Sequence, residues 1–356
     1  MKEFQVKKSD IAKSRLAPAP APEIGDGEVL LKIDRFAFTA NNVTYGVVGE
    51  KIGYWRFFPA DEGWGSIPVW GFADVVQSKV SDVAVGDRLY GYFPMRPFLK
   101  ISPTKISETR LLDGASHRAE LPPVYNSYAR VKAEPGYDRT MDDERILLFP
   151  LYATSFCLYD FLLANDWFEA SQIVILSASS KTAIGLAYAL AGDKNAPKSI
   201  GVTSAKNTKL VNGVALYEQV VTYDELENID AKISTVIMDM SGNGAVLDNL
   251  HGYLGDNMRY CSNVGVTHWE DNAMGDGFIR ERSAMFFAPG HIQQRSKEWG
   301  PGEFEKRAMK FWHEAAIKSR DWLTLKRLSG LEVFADHYDS IRRGELSPDQ
   351  GLLVEL

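Results

Sequence analysis

Residues 172–187 read Gln172-Ile173-Val174-Ile175-Leu176-Ser177-Ala178-Ser179-Ser180-Lys181-Thr182-Ala183-Ile184-Gly185-Leu186-Ala187. The apolar run predicts a buried strand, the small polar residues a turn, and the Ala/Gly-spaced end a helix packed closely on a sheet. Amide N–H groups at such a helix start, with the helix dipole behind them, attract anions. Dinucleotide-binding folds seat a pyrophosphate there. The glycine fingerprint G-x-G-x-x-G is missing: Ser177, Ser179 and Ser180 stand where glycines are expected, and Gly185 alone holds the helix-packing place. Backbone amides and hydroxyls over Ser177 to Thr182, with the charge of Lys181, still suit a diphosphate. The competing reading is a serine-rich helix cap without a ligand. Serine also hinders the close backbone approach that glycine permits, so binding is expected to be weaker or shifted.

A second set follows at residues 200–207. Ile200-Gly201-Val202-Thr203 predicts the next strand, and an NAD site usually carries an acid at its end for the ribose 2′-hydroxyl. Here Ser204-Ala205-Lys206-Asn207 contains none. The hydroxyl of Ser204, the amide of Asn207 and the cation of Lys206 suit a 2′-phosphate instead, which points to NADP(H). The alternative has Ser204 capping a helix and Lys206 solvated.

The elements that position these residues emerge from the rest of the chain. Its 356 residues exceed one ordinary core and suggest two domains. Hydrophobic content of 45% and charged content of 24% are those of a soluble globular protein. A net charge of −7 and pI near 5.5 argue against nucleic acid or an anionic membrane as main partner. The opening residues carry no apolar signal core, and Pro150, Asp160 and Asp166 interrupt the greasiest region, so a cytoplasmic protein is expected. Cys157 and Cys261, the two cysteines, read as buried thiols and form neither a disulfide scaffold nor a four-cysteine zinc lobe.

Residues 1–150 are expected to be β-rich, with an extended approach through Pro18, Pro20 and Pro22. Strands are predicted near 28–34, 69–76, 88–93 and 127–132, separated by Gly- and Pro-rich turns, as in a small irregular barrel. From Ile146 the pattern alternates. Helices are expected over 151–163, 182–191 and 206–212, and strands over 173–176, 199–203, 219–222, 235–238 and 259–264. This is a doubly wound parallel sheet. Residues 303–319 predict an amphipathic helix, and 351–356 a closing strand returned to the first domain.

These segments, in this order, resemble the medium-chain dehydrogenase/reductase superfamily. Gly27-Glu28-Val29-Leu30-Leu31-Lys32 is similar to its opening strand. Pro68 to Val76 is similar to its proline–glycine–valine strand, and Val85-Gly86-Asp87-Arg88-Leu89-Tyr90-Gly91 to its G-D-R-V-Y-G turn. Val43-Thr44-Tyr45 with Gly49 resembles the zinc-free quinone oxidoreductase segment. Thr154-Ser155-Phe156 stands where the family often has Thr-Ala-Tyr. The resemblance implies a GroES-like β-barrel domain (1–150), a Rossmann-type nucleotide domain (151–290), a C-terminal segment (291–356) returning to the first, and a cleft between the domains. Zinc-dependent members have a cysteine after the opening strand and Gly-His-Glu near Gly71. This chain has Gly71-Phe72-Ala73 and no cysteine before Cys157. His117, His251, His268, His291, His313 and His337 lack ligand spacing, so no catalytic metal is expected.

By the same resemblance, Asp239-Met240-Ser241-Gly242 and Ser262-Asn263-Val264-Gly265 end the fourth and fifth strands beside the cofactor. Asp239 and Ser241 become candidate cofactor contacts, and the backbone of Val264 and Gly265 could hold a carboxamide. Tyr45 is the candidate proton donor; a phenol near pKa 10 stays protonated at neutral pH. Asn41 or Asn42 could orient a carbonyl oxygen, and Thr154 could bond ribose or substrate. The plain alternatives are a packing tyrosine beside Trp55 and a helix-start hydroxyl. The aromatic residues Tyr54, Trp55, Phe57, Phe58, Trp64 and Trp70 suggest an apolar pocket. Phe286 to His291 could line the cleft or serve a homodimer. The expected activity is zinc-independent, NADPH-dependent reduction of an activated C=C, quinone or carbonyl in a small, mostly apolar substrate. Rival readings keep the nucleotide but use it in lyase-like chemistry, or make the chain a non-catalytic nucleotide-binding regulator.

Overall fold

The computed structural model describes residues 1–264 and 275–356. The chain divides into two compact units, residues 1–147 with 324–356, and residues 148–323.

The strand Val29–Phe38 organises the first unit, because apolar residues on both of its faces find cover. It pairs antiparallel with Val69–Ser78, with Phe98–Ile101 and with Gln350–Glu355. The sheet continues through Arg88–Phe93, buried at every residue, to Ser127–Arg130 and Arg110–Asp113. The expected strands are all present. No turn glycine separates Lys7 from Asp10, yet Lys2–Lys7 and Asp10–Pro18 form an antiparallel hairpin. Phe4 from that hairpin and Phe38 meet the ring of Phe334 edge-on, with centroids 4.9 and 5.0 Å away. Phe334 lies on helix Gly330–Arg342, which links the parallel strands Thr324–Ser329 and Gln350–Glu355.

A buried cation locks this unit. Arg88 is 2% exposed and reaches Asp34 at 2.7 Å, Asp142 at 2.9 Å and Asp74 at 3.1 Å. Its guanidinium also lies 4.6 Å from the Phe72 ring centroid. Planar, multidentate geometry lets an arginine compensate its own desolvation.

In the second unit six parallel strands take the order third, second, first, fourth, fifth, sixth, among the described residues. They are Gln172–Leu176, Lys198–Thr203, Gln219–Thr222, Thr235–Asp239, Met258–Val264 and Ser283–Phe286. The first strand is wholly buried, as its unbroken Ile-Val-Ile-Leu run requires. Order reverses beside it, which is the switch point of a doubly wound sheet. The helix expected from Leu151 instead begins at Asp142 and passes through Pro150. Asp142, Asp143 and Glu144 in its first turn complement the helix dipole. The helix expected at 206–212 divides into a 3₁₀ turn, Ala205–Asn207, and helix Thr208–Gly213.

One segment carries backbone strain. Asp166, Trp167, Phe168 and Glu169 have φ of 48, 53, 53 and 56°, a left-handed turn without glycine. Burial of Trp167 and stacking of Phe168 on Tyr260, centroids 4.2 Å apart at 2°, hold it in place. Each such residue costs about 1–2 kcal/mol. Glu169 is exposed and gives the turn no ring contact. Glu169→Gly should therefore stabilise the second unit by about 1 kcal/mol in urea denaturation. A loss of stability would show that the side chain is needed there.

Candidate functional site

In the second unit the carboxyl ends of the first three strands converge on Ser177. That residue sits at φ +59°, in the left-handed region where glycine is at ease. Its N–H donates to the phenol oxygen of Tyr223 at 2.9 Å. Tyr223 directly follows the third strand. Ala178, fully buried, donates its N–H to Val202 O and accepts the Tyr217 hydroxyl at 3.0 Å. Close approach is bought on the neighbouring strand: a Cβ at Gly201 would lie 3.0 Å from both Ala178 Cβ and the Tyr217 ring. Gly185 does the same for the helix, where a Cβ would lie 2.5 Å from Ser155 Oγ and 2.7 Å from Tyr152.

Ser180 caps helix Lys181–Ala191, its Oγ accepting from Ala183 N at 3.2 Å, and its own N–H bonds Ser177 O. Ser179 is 5% exposed, and its Oγ accepts from Asn207 Nδ2 at 3.1 Å. Lys181 and Thr182 open the helix, and the Thr182 carbonyl accepts from Ser155 Oγ at 2.7 Å. The loop thus answers part of its own hydrogen-bonding demand with serines.

At the end of the second strand, Ser204 precedes the 3₁₀ turn without capping it by its side chain. Its Oγ is buried and has no hydrogen-bond partner. Lys206 is exposed, and Asn207 joins this end to the serine loop. The structure therefore brings Ser177, Ser179, Ser180, Ser204 and Asn207 into one neighbourhood.

Asp239, 1% exposed, ends the fourth strand. It accepts from Ser241 N at 2.8 Å, Ser241 Oγ at 2.7 Å and Gly242 N at 3.2 Å. Burial pushes its carboxyl above the usual range, against the pull of those bonds. Asp239 and Ser241 shape the turn into helix Gly244–Leu254. Val264 closes the fifth strand opposite Phe286. Gly265 lies outside the described residues.

The first unit holds Tyr45 on the short helix Ala40–Val47. Asn42 is engaged at both ends of its amide: Oδ1 accepts from Thr39 N at 2.8 Å, and Nδ2 donates to Pro68 O at 2.9 Å. Asn42 therefore fixes the helix, whereas Asn41 Nδ2 donates to the Tyr45 oxygen at 2.7 Å. Tyr45 packs against Tyr54 at 4.5 Å and against Tyr92 at 5.9 Å. Trp55 is wedged over Gly49 and Gly65, where a Cβ would come within 2.2 and 2.4 Å of its ring. Burial and the adjacent Tyr54 push the Tyr45 phenol upward, so it stays protonated at neutral pH. Thr154, in the second unit, donates its hydroxyl to Pro150 O at 3.1 Å. Tyr223, Tyr217 and Tyr125 escape sequence reasoning, since each acts across the fold and sits in no recognisable motif. Among the described residues no group of three or more His, Cys, Asp or Glu side chains could hold a metal ion.

Ser177→Gly tests the strained turn directly. It should raise the urea midpoint of the second unit, by about 1 kcal/mol of stability. An unchanged or lower midpoint would mean the serine hydroxyl offsets the strain.

No curated protein matches the sequence. Among solved structures, CurA from Vibrio vulnificus, also crystallised in complex with NADPH, aligns at 13% identity with TM-score 0.65, over 100% of this chain and 98% of that one. CurK enoyl reductase aligns at 14% identity and TM-score 0.62, covering 99% and 98%. The quinone oxidoreductase from Coxiella burnetii aligns at 14% identity and TM-score 0.55, covering 100% and 99%. The chain shares the fold of these structures, with GroES-like and Rossmann-type units. A family described as "Protein of unknown function (DUF2855)" matches residues 36–347, and the chain belongs to that family.

Proposed function

We propose that the protein is a zinc-independent, NADPH-dependent reductase of an activated C=C, quinone or carbonyl in a small, mostly apolar substrate. One observation carries the reading. The second parallel strand ends without a carboxylate, in a buried, unpartnered Ser204 hydroxyl followed by an exposed Lys206. That donor set fits a 2′-phosphate and repels nothing anionic. The NADPH complex of CurA and the enoyl reductase CurK, which share the fold, support it.

Ser204, Lys206 and Asn207 would hold the phosphate end, and the loop from Ser177 through Ser179, Ser180 and Lys181 to Thr182 the pyrophosphate. Asp239 and Ser241 would keep the neighbouring turn in shape, with Val264 and Gly265 beside it. Bound NADPH supplies a hydride. Tyr45 supplies the proton, held by Asn41 on a helix that Asn42 fixes, while Thr154 stiffens its own helix around Pro150. No zinc is invoked, because Gly71-Phe72-Ala73 offers no ligand where zinc-dependent relatives are expected to have one. We further propose a cytoplasmic protein, with a homodimer as its candidate assembly, whose partner is a small molecule rather than nucleic acid or membrane.

A second reading is favoured by the loop's own bonding. Ser180 occupies the Ala183 amide and Tyr223 the Ser177 amide. Both are groups a phosphate would use, so a nucleotide-binding protein with lyase-like chemistry or without turnover stays in contention. Titration with NADPH and NADH, followed by nicotinamide fluorescence, separates the cases. Saturable NADPH binding with oxidation by enones, quinones or aldehydes supports the reductase; binding without oxidation supports the second reading; no binding sinks both.

Lys206→Ala should weaken NADPH roughly tenfold or more, a charge-assisted bond being worth about 1.5–3 kcal/mol, and leave NADH nearly unchanged. Equal losses would remove the phosphate assignment. Tyr45→Phe should lower kcat about 100-fold with NADPH affinity preserved. Turnover at the wild-type rate would reduce Tyr45 to a packing residue.

A further inference from the structure

We propose that His251 is an acid-operated latch: its neutral ring clasps residues 275–282 to helix Gly244–Leu254 and, once protonated, releases them. The device lies wholly in the second unit and does not depend on the turnover of nucleotide.

The helix buries Leu247, Leu250, His251 and Leu254 along one face. A histidine in that row is costly unless its polar atoms find partners. One does: Nδ1 accepts from Ile279 N at 3.1 Å. An accepting Nδ1 carries no proton, so the neutral ring bears its hydrogen on Nε2. The ring also stacks on Phe278, with centroids 4.5 Å apart at 15°. Phe278 is buried in the same core as Leu247 and Leu250. Two glycines let the segment come this close. A Cβ at Gly275 would lie 2.4 Å from Asp248 Oδ2, and one at Gly277 2.7 Å from Asp248 O. Gly277 N donates to Asp248 Oδ1 at 2.9 Å. Farther along, Ser283 Oγ donates to Ile279 O at 2.7 Å, where strand Ser283–Phe286 joins the edge of the sheet.

A proton undoes the clasp. The charged ring donates from both nitrogens, so Nδ1 faces the Ile279 N–H as a second donor. That amide loses its acceptor, and a cation is left inside a fully buried side chain. Burial pushes the ring down to about 4, against the pull of Asp248 on its own helix. On the facing segment Asp276 and Glu281 are exposed, and the Arg280 guanidinium lies 5.8 Å from the Phe278 ring centroid. Arg282 is turned to Met258 O at 2.8 Å. Cys261, on the adjoining strand and in the same core, is kept neutral by burial. In the released segment the ring regains water and the ordinary histidine pKa near 6.5. The released form binds the proton more tightly, so the latch holds fully above about pH 6.5 and loosens as pH falls from there toward 4.

Hydrogen–deuterium exchange of the peptide spanning residues 275–282, corrected for the intrinsic rate, tests the latch in the full-length protein. Its opening constant should rise about twentyfold from pH 7 to pH 5, while strand Gln172–Leu176 stays protected. His251→Asn places an amide oxygen near Nδ1, keeps an acceptor for Ile279 and takes no charge, so its exchange should be equal at both pH values. His251→Leu removes the acceptor and should exchange fast at both. An unchanged wild-type rate, a pH response that persists in His251→Asn, or equal acceleration in Gln172–Leu176 overturns the latch. Should neither variant fold, ¹⁵N-histidine NMR of the wild type at pH 7 decides alongside the wild-type exchange: the Nε2–H tautomer at His251 supports the clasp, and the Nδ1–H tautomer overturns it.

Discussion

The turn from the first parallel strand into its helix is the constraint to which the second unit answers. A buried strand must end, reverse and present a helix start within four residues, and one of those residues must adopt a left-handed backbone. Where glycine would do this without strain, Ser177 does it under strain. The space glycine would have opened is recovered elsewhere, at Gly201 on the adjacent strand and Gly185 on the helix. Tyr223, Tyr217 and Asn207 then bond the loop from three directions. The departure from the glycine pattern is therefore compensated by neighbours rather than tolerated as a defect.

The first unit solves a different problem, that of keeping polar atoms inside an aromatic core. Arg88 and Arg118 are both nearly inaccessible, and each is ringed by carboxylate or carbonyl acceptors and set over phenyl faces. Such sites favour arginine over lysine, because the flat guanidinium can satisfy several partners at once while stacking. Replacing either cation's partner would leave a charge in the interior, at a cost of about 3–5 kcal/mol. Some buried tyrosines follow the same rule, Tyr128 donating its hydroxyl to Tyr92 O and Tyr338 to Ile11 O.

Much of this was legible in the chain. Ile173 to Leu176 and Leu89 to Phe93 declare themselves because a run without charge is stable only between two covered faces. The loop serines and the acid-free end of the second strand were readable as residue types. Hidden were the features whose signal is distributed. The hairpin Lys2–Lys7 with Asp10–Pro18 turns through lysines and serine rather than glycine or asparagine. Helix Ala288–Trp299 is too polar for periodicity to show, and the edge strand Ser283–Phe286 is only four residues long. Proline 150 suggested a helix boundary, yet the helix continues through it. At the site, Tyr223 is 46 residues from the group it serves, Ser177. No local spacing could announce it.

The division of the chain has an outcome for biosynthesis. Residues 148–323 are spliced into the middle of the other unit, whose sheet needs Gln350–Glu355 to cover Val29–Phe38. On the ribosome, the inserted portion is complete and free to fold while the first strands still wait, on the order of ten seconds at ordinary elongation rates. During that interval Val29–Phe38 has an uncovered flank. The nascent polypeptide thus passes through an obligatory half-built stage, in which a chaperone or a misplaced strand would find its opening.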